Sequence, residues 1–379
     1  MLAHLVGRRF RNLAPLAWSP AAGGHLLLGG NGAGKTSILE AIYLLATTRS
    51  FRTAQVADCC RHGADGFELL AEVEGQARTR LEVSWVSSGA GSRSGGGRRQ
   101  RRVNGNATTL AEHLAVLPVV AWTGEQVELL TGPPAVRRRF LDRGVIGVRP
   151  AALEALTRYR KILGHKRQVL ADGGRELATW NQLLAGAAAE VIALRGRYVE
   201  LLAAALEQVL KEAALDFPAI RLRYRPSPRQ SWVDGQSASA GVSSTAGPDG
   251  EAAVAAALER AADQERRRRM PLVGPHRDEL VIAWADHQLR RVASAGERKA
   301  LGLCLLAAHG RVLGSHGPEP VYLLDDADTE LAPATLESVW QVFAAAGQLF
   351  ATSNRPDVWS SIPFAARWRV AGGEVSESS

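Results

Sequence analysis

The stretch Gly29-Gly30-Asn31-Gly32-Ala33-Gly34-Lys35-Thr36 fits G-x-x-x-x-G-K-[ST]. Before it, His25-Leu26-Leu27-Leu28 reads as a short buried strand, and after it Ser37 to Leu45 reads as an apolar helix. Strand, glycine loop and helix in that order form a phosphate cradle. The glycines let the backbone wrap a phosphate chain with its amides pointing inward, and the helix N-terminus adds partial positive charge. The spacing therefore assigns ATP binding to Gly29, Gly30, Asn31, Gly32, Ala33, Gly34, Lys35 and Thr36. Lys35 is expected to reach the β- and γ-phosphates, and the Thr36 hydroxyl to ligate Mg²⁺. A glycine-rich turn that merely caps a helix is the alternative, and the flanking strand and helix weigh against it.

A phosphate loop needs a second metal partner and a group that prepares water, both carried on a neighbouring strand. Val321-Tyr322-Leu323-Leu324-Asp325-Asp326 supplies an apolar strand ending in two acids. Asp325 is expected to hold Mg²⁺, and Asp326 to orient or deprotonate the attacking water, with Lys35 the other catalytic group. Upstream, Ser294-Ala295-Gly296-Glu297-Arg298-Lys299 opens an apolar helix. Ser294 is a candidate N-cap, and Ser294 with Gly296 is expected to meet a γ-phosphate presented by another subunit.

Residues 1–85 alternate short strands and helices, with a hairpin over Phe67–Glu74 and Thr79–Trp85. Ser87 to Gly97 is Gly/Ser-rich and precedes Arg98-Arg99-Gln100-Arg101-Arg102, which reads as a mobile hairpin tip. After Pro150 the pattern turns helical over 151–171, 176–213 and 251–269, interrupted by a Ser/Gly/Pro-rich excursion at 226–250. Strand and helix alternate again from Pro271. The expected fold is α/β, with a P-loop ATPase head assembled from both chain ends and an inserted, mainly helical second lobe. The expected division is 1–148 and 271–379 for the head and 149–270 for the lobe.

Of the 379 residues, 46% are hydrophobic, enough for a substantial core. No apolar run reaches the ~18–20 residues of a membrane span, and the N-terminus lacks the order of a signal peptide, so a cytoplasmic protein with no membrane partner is expected. The three cysteines show no metal-ligand spacing. The formal net charge of +8 favours a polyanionic partner, although an Arg-rich composition alone would produce it.

P-loop, S-x-G-[QE] signature and apolar strand ending in two acids, in this order with a helical insertion, resemble the ABC-type ATPases of the SMC/RecF kind. Finer matches resemble the RecF family of bacterial recombination mediators: Gly30 to Phe51 and Arg52, Gly132-Pro133-Pro134 with Arg137 to Asp142, Tyr159-Arg160-Lys161, Trp180-Asn181, and Gly274-Pro275-His276-Arg277-Asp278-Glu279-Leu280. The resemblance implies an ATP-dependent homodimer that closes on two nucleotides and holds DNA at gaps and junctions. It implies release by weak hydrolysis, and action with RecR and RecO to help load a recombinase. It also places a γ-phosphate-sensing role near Gln126 and a switch near Thr352 and Ser353.

Three departures stand out. Ala332 replaces the Asp that usually ends V-x-S-E-L-D, Glu297 stands where Gln is common, and Trp122-Thr123-Gly124-Glu125-Gln126 replaces F-x-P-E-D. The first implies slower or less cooperative hydrolysis.

Arg137-Arg138-Arg139 with Arg143, Arg266 to Arg269, and Arg8, Arg9 and Arg11 are the candidate phosphate contacts. Arg11 is alternatively a nucleotide contact. Few aromatics interleave them, so duplex backbone or junction binding fits better than stacking on single strands. Competing readings are a transporter subunit, a nuclease-partnered defence ATPase, a GTPase (for which N-K-x-D is missing) and a non-hydrolysing ATP-binding scaffold.

Overall fold

Two sheets enclose one nearly all-apolar helix in the part of the chain that carries the glycine loop. The computed structural model describes residues 1–88, 97–227, 248–285, 287–289 and 293–378, without the side chains of 124–127, 248 and 288. The first sheet is antiparallel throughout. It is built from β1 (Leu2–Arg8), β2 (Leu16–Trp18), β4 (Gly66–Val73), β5 (Thr79–Ser87), β6 (Gly97–Val103) and β7 (Asn106–Ala107), in the order β2-β1-β4-β5-β6-β7. The arginine-rich run expected at a mobile tip is strand β6, paired with β5 from Leu81↔Val103 to Ser87↔Gly97. Residues 89–96 lie outside the described residues.

The second sheet joins β3 (Gly23–Leu28) and β8 (Val119–Trp122) to β12 (Val321–Leu324), β13 (Gln348–Ser353), β14 (Ala366–Ala371) and β15 (Glu374–Glu377). Its order is β15-β14-β3-β13-β12-β8, parallel except for the edge strand β15. Strands from both chain ends thus alternate in one sheet, as expected. Parallel strands covered on both faces read as continuous apolar runs, and every residue of β12 and β13 is buried. Helix α1 (Lys35–Thr47) packs against strands of both sheets. Ile38, Leu39, Ile42, Leu44 and Leu45 are all fully buried, the signature of a helix apolar on every side.

Further helices follow among the described residues, in chain order: α2 (Leu110–Val116), α3 (Gly124–Thr131), α4 (Pro134–Val148), α5 (Ala152–Ala171), α6 (Leu177–Ala213), α7 (Pro248–Arg268) and α8 (Ala295–Gly314). Another, α9 (Pro333–Gln341), lies between β12 and β13. The chain forms two compact units. One holds Met1–Val127, Gln208–Asp216 and the chain from Ala293 onward, and the other Glu128–Glu207 with the described residues of 217–292. The expected cut after 148 put α4 in the head. It belongs to the second unit, because Arg137 on α4 pairs bidentately with Glu279 of β10 (Glu279–Trp284), at 2.5 and 3.2 Å. Likewise 271–292 belongs there, since β10 is the middle of a three-stranded antiparallel sheet with β9 (Ile220–Arg225) and β11 (His287–Gln288).

The second unit is held by buried charge as well as apolar packing. Arg195 on α6 donates to Asp142 on α4 at 3.0 and 2.8 Å, and to Asp278 at 2.8 Å. Lys166 on α5 and Glu265 on α7 form a fully buried pair at 2.7 Å. One helix, α6, is long and apolar enough by length and composition to cross a membrane, which corrects the expectation that no segment reaches that length. Its apolar length reflects packing inside the protein, where Leu184, Ala188, Val191, Tyr198 and Leu202 are buried.

Candidate nucleotide site

Strand β3 delivers the chain to Gly29, whose N–H donates to Ser353 O at 3.4 Å, beside the end of β13. A side chain at Gly29 would collide with the Val370 carbonyl. Gly34, the N-cap of α1, sits at φ +116°, a region open to glycine at little cost. No side chain caps α1, so its first amides are open to an anion. Lys35 is buried to 7% exposure, and its Nζ donates to Gly29 O at 2.8 Å and Gly30 O at 3.1 Å. An ammonium has three protons, so the charge is held at the loop with donor capacity left for phosphate.

Thr36 and Asp325, predicted as metal ligands from opposite ends of the chain, are brought together. The Thr36 hydroxyl donates to Asp325 Oδ1 at 2.9 Å, and the Thr352 hydroxyl donates to the same oxygen at 2.8 Å. Burial pushes the Asp325 carboxyl above the ordinary aspartate range and the neighbouring Asp326 charge adds to it, while the two hydroxyl bonds and Arg52 oppose it. A desolvated carboxylate beside a hydroxyl is a hard oxygen donor set that suits Mg²⁺, which is usually held by one or two carboxylates plus substrate phosphates. Among the described residues no group of three His, Cys, Asp or Glu could hold a metal alone, in keeping with such a partial site.

Asp326 takes a left-handed backbone (φ 46°), its carboxylate is exposed, and its N–H donates to Thr352 Oγ1 at 2.9 Å. Its carbonyl accepts from Lys299 Nζ at 2.9 Å, and Lys299 also donates to Thr329 Oγ1. Lys299 lies in the second turn of α8, so it ties the signature helix to the turn after β12. The sequence reading had no signal for it. Ser294 does cap α8: it accepts from Glu297 N at 3.3 Å, and Glu297 Oε2 accepts from Ser294 N at 2.7 Å. Glutamate and glutamine both close such a box, so Glu297 fits a position where the family often has glutamine. Gly296 is half-buried, and a Cβ there would lie 3.1 Å from Glu330 O. Gln126 falls on α3, but its side chain is outside the described residues.

Other residues surround the loop and the acidic turn. Asn12 braces the loop, donating to Gly32 O at 2.7 Å and accepting from Ser37 Oγ at 2.8 Å. Arg11 forks onto fully buried Glu40 of α1 at 2.9 and 2.6 Å, so it is a packing contact of the head. Thr352 and Ser353 act as adjacent hydroxyl clamps, the second donating to buried Asp328 at 2.8 Å. Ala332 is the N-cap of α9 and offers it no side-chain acceptor.

The candidate DNA arginines divide. Arg137 is committed to Glu279, and Arg138 donates to Asp278 O at 3.0 Å. Arg139, Arg143 and Arg267 to Arg269 are exposed. The motif His276-Arg277-Asp278, for which the sequence suggested no role, has a structural one. Asp278 accepts from Arg195, from Tyr224 and from Ser227 N at 2.8 Å. The Tyr159 hydroxyl accepts from His276 N at 3.1 Å and bonds its Nδ1 at 2.7 Å.

The model of the RecF/RecN/SMC N terminal domain matches residues 1–367. The DNA replication and repair protein RecF of Anaeromyxobacter sp. (strain Fw109-5) is 33% identical over 385 residues, covering 99% of this chain and 98% of that one. The protein of the same name from Acidothermus cellulolyticus is 32% identical, covering 97% and 96%. Among solved structures, that of the recombination mediator protein RecF-ATP in the RecFOR pathway superposes with a TM-score of 0.83 at 22% identity, covering 100% and 97%. An Smc head bound to the C-winged helix domain of ScpA gives 0.55 at 15%, covering 100% and 97%. The structural likenesses establish the fold, an ABC-type ATPase head with a second unit.

Proposed function

The chain belongs to the RecF family, and from that premise we propose that it is an ATP-switched DNA-binding protein of replication and recombinational repair. The observation that carries this reading is the Thr36–Asp325 hydrogen bond at the mouth of an uncapped helix N-terminus. ATP is the ligand that suits it: the loop amides and Lys35 take the β- and γ-phosphates, and Thr36 with Asp325 takes the cation. Mg²⁺, when bound, neutralises phosphate charge and aligns the γ-group for attack. Asp326 orients water. Lys299 and Thr352 position the turn that carries Asp325 and Asp326, by bonds to the Asp326 backbone and the Asp325 carboxylate.

In this reading two copies close on two nucleotides, each presenting Ser294 and Gly296 to the other's phosphate loop. Closure favours retention on duplex DNA at gaps or junctions in the cytoplasm, and slow hydrolysis resets it. RecO and RecR are the expected co-workers by family. One observation favours a weaker hydrolase or a non-hydrolysing scaffold: Ala332 leaves α9 uncapped in the loop that couples the two sites. Sedimentation with and without ATP and Mg²⁺ tests the switch. Wild type is expected to dimerise with ATP, Lys35→Ala to remain monomeric, and Asp326→Asn to stay trapped as a dimer. An Asp326→Asn variant that remains monomeric with ATP would refute the assigned role.

A further inference from the structure

The second unit carries a dense arginine surface that the nucleotide site does not use. Arg138, Arg167, Arg269 and Arg277 line one cleft of about 720 Å³, together with His276 and the single carboxylate Glu279. Glu279 is already forked onto Arg137. Among the described residues none of the four cleft arginines has a carboxylate within ion-pair distance; Arg138 and Arg277 donate to backbone carbonyls. Burial, followed by the cationic neighbours Arg277, Arg167 and Lys166, holds the His276 imidazole far below its usual range, to about 4. The cleft is thus an electropositive concavity with little counter-charge of its own.

A second cleft of about 970 Å³ adjoins it, sharing Pro133, Pro134, Arg277 and Glu279. Its wall is β9, Ile220-Arg221-Leu222-Arg223-Tyr224-Arg225. Alternate residues of a strand share a face, and here the arginines are the exposed set. Cross-strand, they face Ala283, Val281 and Glu279. Successive arginines are ~6.6 Å apart at the usual strand rise, a regular row of cations along one line. Charged residues also protect an edge strand from pairing with other chains, but that purpose does not require a charged cleft beside the strand.

We propose that this surface is a second phosphate-binding site, separate from the nucleotide loop, which seats the backbone of duplex DNA whether or not nucleotide is bound. Arg221, Arg223 and Arg225 track successive phosphates, and the cleft receives one more. The inference rests on the DNA-binding reading above, but it concerns the nucleotide-free level of binding, whereas that reading concerns the increment added by ATP. Arginine suits the role because its planar fork matches phosphate oxygens.

The test is a salt series of duplex DNA binding without nucleotide. It compares wild type, Arg167→Gln with Arg269→Gln, and Arg221→Gln with Arg223→Gln and Arg225→Gln. Arg78→Gln with Arg102→Gln, in the other unit, is the charge-loss control. All the altered side chains are exposed, and thermal melts check that the fold survives. Each variant set is expected to lose at least ~10-fold affinity at low salt. Its slope of log K against log salt is expected to flatten by about 1 for each phosphate no longer neutralised. The control is expected to lose less than ~3-fold. Equal losses in all three sets would overturn the site and leave the ATP-dependent increment as the surviving claim. A parallel titration of inorganic tripolyphosphate in the Lys35→Ala background separates the sources. If DNA binding is unaffected but tripolyphosphate binding depends on these arginines, DNA as the occupant is overturned and a free polyphosphate site stands. No effect in either titration overturns both.

Discussion

Two aspartates, one in each unit, show how the same side chain serves different ends: Asp278 is fully buried and Asp325 half-buried. Asp325 and Asp278 are both pushed above the ordinary carboxylate range, chiefly by burial. Asp278 is answered by a guanidinium, a phenol and a backbone amide. Asp325 is answered by two neutral hydroxyls, on Thr36 and Thr352. The first carboxylate has its counter-charge built in and holds helices and strands together. The second has hydrogen bonds from neutral groups and feels the charge of Arg52, but among the described residues it has no cation in ion-pair contact, which leaves it able to recruit Mg²⁺ with a phosphate. The direction of the pKa shift does not separate a structural acid from a metal-seeking one; the charge of the partners does.

The sharpest way to break this contrast is to remove each carboxylate. Asp278→Ala leaves Arg195 with one of its two acids in a closed interior and is expected to cost about 3–5 kcal/mol. Asp325→Ala is expected to change nucleotide-free stability by no more than ~1 kcal/mol, since it removes a desolvated charge along with two hydrogen bonds, yet to abolish Mg²⁺-dependent ATP binding. Urea titration and nucleotide titration measure the two effects, and similar stability losses in both variants would erase the distinction.

A pH series sharpens it next. His276 titrates near 4 in the fold, against about 6.5 when unfolded. As pH falls, the unfolded chain takes up this proton first, so His276 stabilises the fold fully above about 6.5 and loses that contribution between 6.5 and 4. The second unit should therefore weaken by about 3 kcal/mol across that window. His276→Gln should be less stable at pH 7 and flatter in acid, and parallel acid limbs would contradict this. The smallest effect concerns α9. Ala332→Asp supplies the missing N-cap and should add about 1 kcal/mol, read as a higher melting temperature; a lower one would show that the loop geometry excludes the cap.

The nucleotide site was largely legible because its parts are local. A glycine loop, a strand ending in two acids and a capped helix each declare themselves within eight residues or fewer, and the parallel sheet then sets β3 and β12 on either side of β13 with their ends pointing the same way. What escaped notice depends on distant partners or on bland residue types. Arg137 meets Glu279 across 142 positions, and Arg195 meets Asp278 across 83. Nothing in either local pattern announces such a pair, and this is why α4 was placed in the wrong unit. Lys299 and Asn12 are ordinary polar residues until folding sets them against the turn and the loop. The alternation in β9 was present in the sequence but lay beside the low-complexity stretch at 226–250, most of which falls outside the described residues.

The most direct test of the account is retention on a gapped duplex, with and without ATP and Mg²⁺, for wild type and Lys35→Ala. The predicted result is a nucleotide-stimulated increment in wild type that is missing in Lys35→Ala, with both proteins alike when nucleotide is left out. An equal ATP-dependent increment in the variant, or none in wild type, would contradict the claim that ATP at this loop governs the hold on DNA.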